Sequence, residues 1–165
     1  MSATPRLTLP FLSPGQAQKE FFHNEALQVL DILVAAAVEE GPRDDPPSSP
    51  SAGDCYIVGE DPTGLWAGKP HYLAAYTSGG WRFVAPFDGI CAYVKGIDEH
   101  AIYRSGAWEF GVLRGSSILI GGQQVVGARV AAIASPAGGT TIDSEARAAI
   151  AAALGALRQH GLIET

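Results

Sequence analysis

Charged side chains are scarce in this sequence, and basic ones are the scarcer kind. Of 165 residues 17% are charged, and 11 Lys and Arg stand against 17 Asp and Glu, which leaves a net charge of -6. Since no basic cluster is available to contact phosphates, the composition argues against nucleic-acid binding. So few charges also favour a surface that is partly covered by a partner or by copies of the chain.

Long apolar runs are missing as well. No segment approaches the roughly eighteen consecutive apolar residues that a membrane-spanning helix needs. The first ten residues contain no apolar run of the kind that marks a secretory signal. We therefore expect synthesis and folding in the cytoplasm, without membrane insertion.

Cysteine is nearly absent, and Cys55 and Cys91 are the two present. Each lies in an apolar, strand-like run. A free cysteine behaves as a small apolar residue, and a reducing compartment disfavours disulfides. We predict two buried free thiols.

The motifs of common catalytic sites are missing too, among them G-x-S-x-G, the P-loop, H-E-x-x-H and C-x-x-C. Asp98-Glu99-His100 resembles a metal triplet, but consecutive side chains of an extended chain point to alternate sides and cannot chelate one ion. We predict no cofactor, no metal site and no enzymatic activity. Two acids across a groove are what glycoside hydrolysis requires, so Asp88, Asp98 and Glu109 keep a glycoside hydrolase open as an alternative.

Glycine and proline, by contrast, are abundant, with 20 and 11 residues, and they punctuate the chain. Ser13-Pro14-Gly15-Gln16 has the residues of a helix start, and Gly41-Pro42 those of a helix end. The sequence between them predicts an amphipathic helix against which a sheet packs. Its apolar stripe consists of Phe22, Ala26, Val29, Leu30, Leu33, Val34 and Ala37. The proline- and serine-rich stretch 42–53 predicts an irregular linker.

Short runs rich in aromatic and β-branched residues follow, separated by turn residues, and they predict antiparallel strands. The predicted strands cover residues 55–58, 71–76, 81–85, 90–94, 101–103 and 108–110. Hairpin turns are expected at 78–80 and 105–106. Further apolar runs at 117–120, 123–126 and 129–134 predict either a last hairpin or a segment that pairs outside the monomer.

An internal echo supports the hairpins. Tyr76, Ser78, Gly79, Trp81 and Phe83 recur in the same register as Tyr103, Ser105, Gly106, Trp108 and Phe110. In each copy an aromatic strand turns over Ser-Gly and returns with Trp and Phe on one face of the pleat.

A terminal helix is predicted to begin at Asp143 or Ser144. Ile150, Leu154, Leu157 and Gly161 form a narrow apolar seam that would suit a short helical cluster between subunits. The fold class is therefore α+β, with an N-terminal amphipathic helix, an antiparallel β-meander and a C-terminal helix. We divide the chain into a main domain at 1–112, a β-rich connector at 113–142 and the helix at 143–165.

Two sets of residues are candidates for contacts with other molecules. Aromatic rings on a rigid sheet can stack on sugars, although the same rings also fill cores. The core is favoured for Trp81 and Trp108, whereas Trp66, in a glycine-flanked loop, is expected to be the more exposed. The candidate carbohydrate-binding residues are Trp66, Tyr72, Tyr76, Trp81 and Trp108. The candidate oligomer or docking residues are Gln16, Lys19, Glu20 and His23 of a polar helix ridge, with Ile150, Leu154 and Leu157 of the seam.

Four motifs carry a family resemblance that covers about 4–110. They are Pro14-Gly15-Gln16-Ala17-Gln18-Lys19-Glu20, His23-Asn24-Glu25-Ala26-Leu27, the linker into Gly53-Asp54-Cys55-Tyr56-Ile57-Val58-Gly59, and Gly80-Trp81-Arg82-Phe83-Val84-Ala85-Pro86. Together they resemble an uncharacterised domain family of phage-type virion proteins from alphaproteobacteria. Stretches 127–133, 139–141, 143–147 and 161–163 are similar to the carboxyl end of many tail or spike proteins.

The resemblance implies a structural component of a phage-like particle or gene transfer agent. Such a component would be a head-spike or tail-fibre module, assembled as a homotrimer with other virion proteins. The implied role is attachment to host capsular polysaccharide. A capsule depolymerase subunit, with the three acids named above as its candidate residues, and a pure carbohydrate-binding module are the alternatives.

Overall fold

The computed structural model describes residues 3–12, 19–141 and 143–165, and for Lys19 the backbone alone. The predicted helix start at 13–16 lies outside these residues. The α+β class is confirmed, with an N-terminal helix, strands in antiparallel sheets and a C-terminal helix. The chain divides into two compact units, Met1–Val112 and Leu113–Thr165, which we describe separately.

Helix α1 spans Lys19–Leu33, so the predicted helix end at Gly41 is wrong. Ala35 takes a left-handed backbone with φ 49°, and a short strand, β1 (Ala37–Val38), follows directly. Val38 is completely buried in the core. Burial of this side chain in a sheet outweighs the helix propensity of the surrounding alanines.

The predicted packing face of α1 is also wrong. Phe22 is 72% exposed, and Leu30 and Val34 are exposed as well, whereas Ile32 is buried and Leu33 packs against the core. A polar contact with the sheet holds the opposite face of α1 towards the protein. The Arg82 guanidinium donates to both Glu25 carboxylate oxygens at 3.0 Å. Most of the predicted apolar stripe consequently points to solvent, and Leu33 is the member that packs against the core.

The N-terminal arm folds back onto the end of α1. Asp31, 2% exposed, accepts hydrogen bonds from the Thr4 hydroxyl at 2.8 Å and from the amides of Arg6 and Leu7 at 3.0 and 2.6 Å. The Arg6 guanidinium donates in turn to the carbonyl oxygens of Asp31, Ile32 and Ala35. These donors satisfy carbonyls that a helix end leaves without intrahelical partners.

The strands of the first unit form two sheets instead of one meander. The three-stranded sheet is antiparallel and contains β2 (Cys55–Ile57), β3 (Leu73–Thr77) and β4 (Gly80–Val84). The four-stranded sheet has the order β1-β5-β6-β7, with β5 (Cys91–Val94), β6 (Glu99–Arg104) and β7 (Ala107–Phe110) antiparallel. Strand β1 pairs with β5 in parallel, which the sequence did not predict.

The main core draws on both sheets and on the end of α1. Its members alternate along each strand, as a half-buried pleat requires. They are Ile32, Ala36, Val38, Cys55, Ile57, Leu73, Ala75, Val84, Ile90, Ala92, Val94, Ala101 and Trp108. The three-stranded sheet thus turns one face to this core and leaves its other face for a second cluster.

The second unit contains a hairpin and a helix. Strands β8 (Ile118–Ile120) and β9 (Gln123–Val126) pair antiparallel, and α2 spans Ser144–Gln159 with the Asp143 carboxylate accepting from the Ala146 amide at 2.8 Å. The predicted run at 129–134 forms only a parallel bridge, from Val130 to Ile163. In the described parts of the chain, neither helix has the length and apolar character needed to cross a membrane.

Candidate functional site

The free face of the three-stranded sheet carries an aromatic cluster. Tyr56, Val58, Trp66 and Ala74 form its buried part, and partly buried Tyr72, Trp81 and Phe83 pack against it. Because side chains alternate along a strand, the residues that precede and follow these ones face the main core. The two faces of the sheet therefore differ in chemistry: the core side is aliphatic and the other side is aromatic.

Trp81 lies at the centre of this cluster. Its ring centroid is 5.1 Å from Tyr76, its cross-strand partner, 5.1 Å from Trp66 and 6.0 Å from Tyr56. All three contacts are edge-to-face, the arrangement that aromatic quadrupoles favour. Trp81 is consequently held in one orientation while part of its surface stays open.

A groove of 480 Å³ opens above Trp81, which is within the range of about 300–1,000 Å³ that is typical of small-ligand sites. None of the described residues that line it is charged. Its lining residues are Pro46, Pro47, Ser48, Pro50, Leu65, Tyr76, Gly80, Trp81 and Phe83. The arrangement offers flat apolar surfaces with a few hydroxyl groups, which suits an uncharged ligand that has apolar faces and polar edges.

Sequence reasoning missed one wall of this groove. The stretch 42–53 was predicted as a linker, yet its prolines line the site together with Leu65. Backbone contacts fix the linker, because the Arg43 amide donates to the Ile57 carbonyl at 3.1 Å and the Thr63 amide donates to the Asp44 carbonyl at 2.9 Å. A row of prolines beside aromatic strands was the signal available, but its partner residues are distant in the chain.

Positive charges border the aromatic cluster. The Lys69 ammonium lies 4.6 Å from the Phe83 ring centroid, and the Arg43 guanidinium lies 5.7 Å from that of Tyr56. Burial, followed by the Asp54 carboxylate, raises the pKa of the Tyr56 hydroxyl. Tyr56 is thus a neutral, packed member of the cluster at neutral pH, and the cations brace two of its rings.

The structure separates the five predicted carbohydrate-binding residues. Tyr76 and Trp81 line the groove, and Tyr72 packs against the cluster beside it. The expectation that Trp66 is exposed is wrong, since its relative exposure is 0%. The 3-10 turn Gly64–Trp66 directs this indole under Trp81, and its N–H finds no acceptor among the described residues. Trp66 supports the groove and offers no surface for stacking.

Trp108 belongs to the main core, as its strand pattern favours, and is 9% exposed. Its indole N–H donates to the His71 carbonyl at 2.8 Å. The internal echo is real at the level of hairpins, because Tyr103 pairs with Trp108 as Tyr76 pairs with Trp81. The β6–β7 copy is covered, whereas the β3–β4 copy opens to the groove.

The predicted docking residues lie in different surroundings. Gln16 and the Lys19 side chain are outside the described residues, His23 is exposed, and Glu20 is partly buried. In the second unit Ile150 is 47% exposed and Leu157 is partly buried. Leu154 is already buried within its own chain, at 7%, so it offers little surface to a partner.

The acids considered for catalysis each have a local contact. Asp88 accepts from the Ser105 amide at 3.0 Å, Asp98 accepts from the Tyr93 hydroxyl, and Glu109 lies 3.7 Å from Arg104. None of the three lines the aromatic groove. Among residues 3–12, 19–141 and 143–165, no three His, Cys, Asp or Glu side chains gather as metal ligands would.

The prediction of two buried thiols is correct for Cys55 and wrong for Cys91, although both are free. Cys91 lies on the outer face of β5 and lines a second cavity of 530 Å³. The alternation of the strand explains this, because Ala92 and Val94 take the core positions. Burial raises the pKa of the Cys55 thiol to about 12.

Comparison with known proteins gives one match. Residues 23–109, more than half of the chain, match the family described as "Protein of unknown function (DUF2793)". No curated protein and no solved structure matches the chain. The matched range runs from α1 through β7 and contains both aromatic hairpins and the groove. The chain belongs to the DUF2793 family of proteins of unknown function.

Proposed function

We propose that this protein is a structural component of a phage-like or gene transfer agent particle. In this role it is a head-spike or tail-fibre module that assembles with copies of itself, as a homotrimer, and with other virion proteins. The particle context comes from the sequence resemblance described above. The module attaches to host surface polysaccharide and needs no cofactor.

The aromatic groove carries the attachment part of the proposal. Trp81 is held edge-on by three rings, so it presents a fixed face without losing side-chain entropy when a ligand binds. Tyr76 adds a hydroxyl and Phe83 a second ring. A sugar ring has apolar C–H faces and hydroxyl edges, so this uncharged lining matches a neutral segment of a surface glycan.

The exposed apolar surface supports the structural part. Phe21, Phe22 and Leu30 of α1, and Val34 directly after its end, are all more than 40% exposed. Single exposed apolar residues are normal, but a helix face composed of them is typical of an interaction surface. A subunit of a larger assembly is the simplest setting for such a surface.

The attachment role is tested with capsular polysaccharides purified from candidate host bacteria, titrated into the intact protein while tryptophan fluorescence is followed. We expect quenching and saturable binding that Trp81→Ala weakens at least about fivefold, since a stacked aromatic ring contributes about 1 kcal/mol or more. Phe22→Ala is the matched control, an exposed aromatic outside the groove, and should bind as the wild type does. An unchanged spectrum across the panel would count against attachment.

The particle role is tested separately. Antibodies against the protein should label purified particles in electron micrographs, and particles from a deletion strain should lose both the label and adsorption to host cells. Particles carrying Trp81→Ala should keep the label and adsorb less. Absence of the protein from purified particles would refute this role.

A further inference from the structure

The β8–β9 hairpin buries almost nothing within its own chain. Ile118, Leu119 and Ile120 are 56%, 59% and 67% exposed, and Val125 is 54% exposed. Because side chains alternate along β8, these exposed groups lie on both faces of the ribbon. An isolated two-stranded hairpin is marginally stable in water, so we expect this hairpin to pack against another molecule.

The sequence specifies the turn of the hairpin well, although both faces of the hairpin are exposed. Gly121 and Gly122 both have positive φ, 59° and 78°, which is the geometry of a tight type I′ connection. The hairpin is therefore a regular element of the second unit. The turn accounts for its strand pairing but not for its exposed apolar side chains.

The chemistry of the hairpin favours a second copy of the same chain as its cover. Residues 115–128 contain no charged side chain, so two copies brought together meet no like charges and bury no unpaired ion. Strands β8 and β9 pair only with each other among the described residues, which leaves each with a free edge. Free edges are usually blocked by charges or prolines, and this hairpin has neither.

We infer that the β8–β9 hairpin pairs edge to edge with the same hairpin of a second copy of this chain. The pairing satisfies the free strand edges and brings the apolar side chains of neighbouring hairpins into contact across the new strand pair. With two edges available, each hairpin can contact a copy on either side, as a closed ring of subunits requires. For its biological meaning the inference rests on the structural role proposed above, but the pairing itself can be tested without particles or sugar.

The test is sedimentation velocity of the intact protein at about 1–100 µM, which brackets micromolar dissociation constants. We expect wild-type oligomers, and Leu119→Lys should raise the dissociation constant at least about 100-fold because it places a charge in an apolar contact. Leu65→Lys is the matched control, an exposed leucine of the first unit at 72%, and should shift the constant less than about threefold. Ile120→Lys gives a second hairpin variant.

Folding and strand pairing are followed on the same samples. Leu119 is exposed, so circular dichroism of Leu119→Lys should match that of the wild type. Amide hydrogen exchange of β8 and β9 should be slow in the oligomer and fast in this variant. A wild type that stays monomeric at every concentration overturns the inference, as does an oligomer that resists both hairpin variants or one that only Leu65→Lys dissociates.

The outcomes separate the two proposals. A protein that assembles through the hairpin but is absent from particles refutes the proposed function and leaves the pairing intact. If the protein is found on particles but its oligomers survive both hairpin substitutions, the pairing is refuted and the proposed function stands. Trp81→Ala should assemble as the wild type does, because the groove and the hairpin belong to different units.

Discussion

At the scale of single residues, one buried carboxylate organises the start of the described chain. Asp31 collects three hydrogen-bond donors from the N-terminal arm, and Arg6 of that arm collects carbonyls from the end of α1. The Asp31 carboxylate accepts from donors of the arm, and the Arg6 guanidinium donates to carbonyl oxygens that the end of α1 leaves without partners. Arm and helix end therefore form one cooperative cluster.

Replacing Asp31 by Ala should lower the free energy of unfolding by about 2–4 kcal/mol, because several partly buried donors lose their acceptor. Chemical denaturation with urea measures it. Asp88→Ala is the control, since this exposed carboxylate accepts a single amide hydrogen bond, and its cost should stay below about 1 kcal/mol. Equal costs for the two variants would contradict the role assigned to Asp31.

The two cysteines should differ in reactivity. At pH 8 the folded protein should react rapidly at Cys91 alone, because Cys55 is buried and its pKa of about 12 keeps it protonated. Titration with a chromogenic disulfide reagent should count one thiol in the native protein, none in Cys91→Ser, and two for the wild type in denaturant. Rapid native labelling of Cys55 would contradict this.

The raised pKa also predicts a dependence of stability on pH. Unfolding exposes the Cys55 thiol and returns its pKa to about 9.0, so the unfolded state loses this proton first as pH rises. The contribution to stability is present below pH 9.0 and is lost as pH rises towards 12. Cys55→Ala should show a flatter stability profile over this interval, as measured by thermal unfolding.

At the scale of elements, the protein uses one hairpin design twice and gives the copies different neighbours. In β3–β4 the Tyr-Trp pair lies beside Trp66 and an open groove. In β6–β7 the pair lies against the core, and the Trp108 indole N–H donates a hydrogen bond to the His71 carbonyl. The local strand geometry is the same. The packing of other segments decides which copy can contact a ligand.

Trp66 is fully buried beneath the groove and Trp81 is partly exposed in it, so truncating the two tryptophans should cost unequal free energies. Trp66→Ala should lower the free energy of unfolding by about 3–5 kcal/mol, because it leaves a large cavity beneath the groove. Trp81→Ala should cost less, about 1–2 kcal/mol, since part of that ring is already in contact with water. Leu65→Ala, in the same turn as Trp66, should change stability by less than about 0.5 kcal/mol. Denaturation curves in which Trp81→Ala costs more than Trp66→Ala would contradict the assignment.

At the scale of the whole molecule, the low charge content and the exposed apolar groups point the same way. Only 17% of residues are charged, and exposed aliphatic side chains occur in both units. If copies of the chain cover this surface, as we propose, assembly adds to the stability of the fold. Its folding equilibrium should then depend on its own concentration.

The melting temperature should accordingly rise with protein concentration, by about 3 °C for a tenfold increase. Differential scanning calorimetry over a hundredfold dilution series measures it. Leu119→Lys should show a melting temperature that hardly moves with concentration, and Leu65→Lys should behave as the wild type. A wild-type value independent of concentration would mean that folding and assembly are not coupled.

The sequence by itself determined the elements whose signals are local. The α+β class, the two aromatic hairpins with their Ser-Gly turns and the start of α2 at Asp143 all follow from residues within a few positions of one another. For the runs at 117–120 and 123–126 the sequence allowed a hairpin but left pairing outside the monomer as an alternative. Turn chemistry, capping and strand alternation act over that distance, so a single sequence displays them.

Only the tertiary structure decided which surfaces are covered. Trp66 was expected outside and is buried, most of the stripe of α1 was expected inside and is exposed, and prolines of the predicted linker form a wall of the groove. Each outcome depends on segments far apart in the chain, such as Glu25 with Arg82 or His71 with Trp108. The periodicity of an element shows that it has an apolar face, but the free energy of burying that face depends on what packs against it.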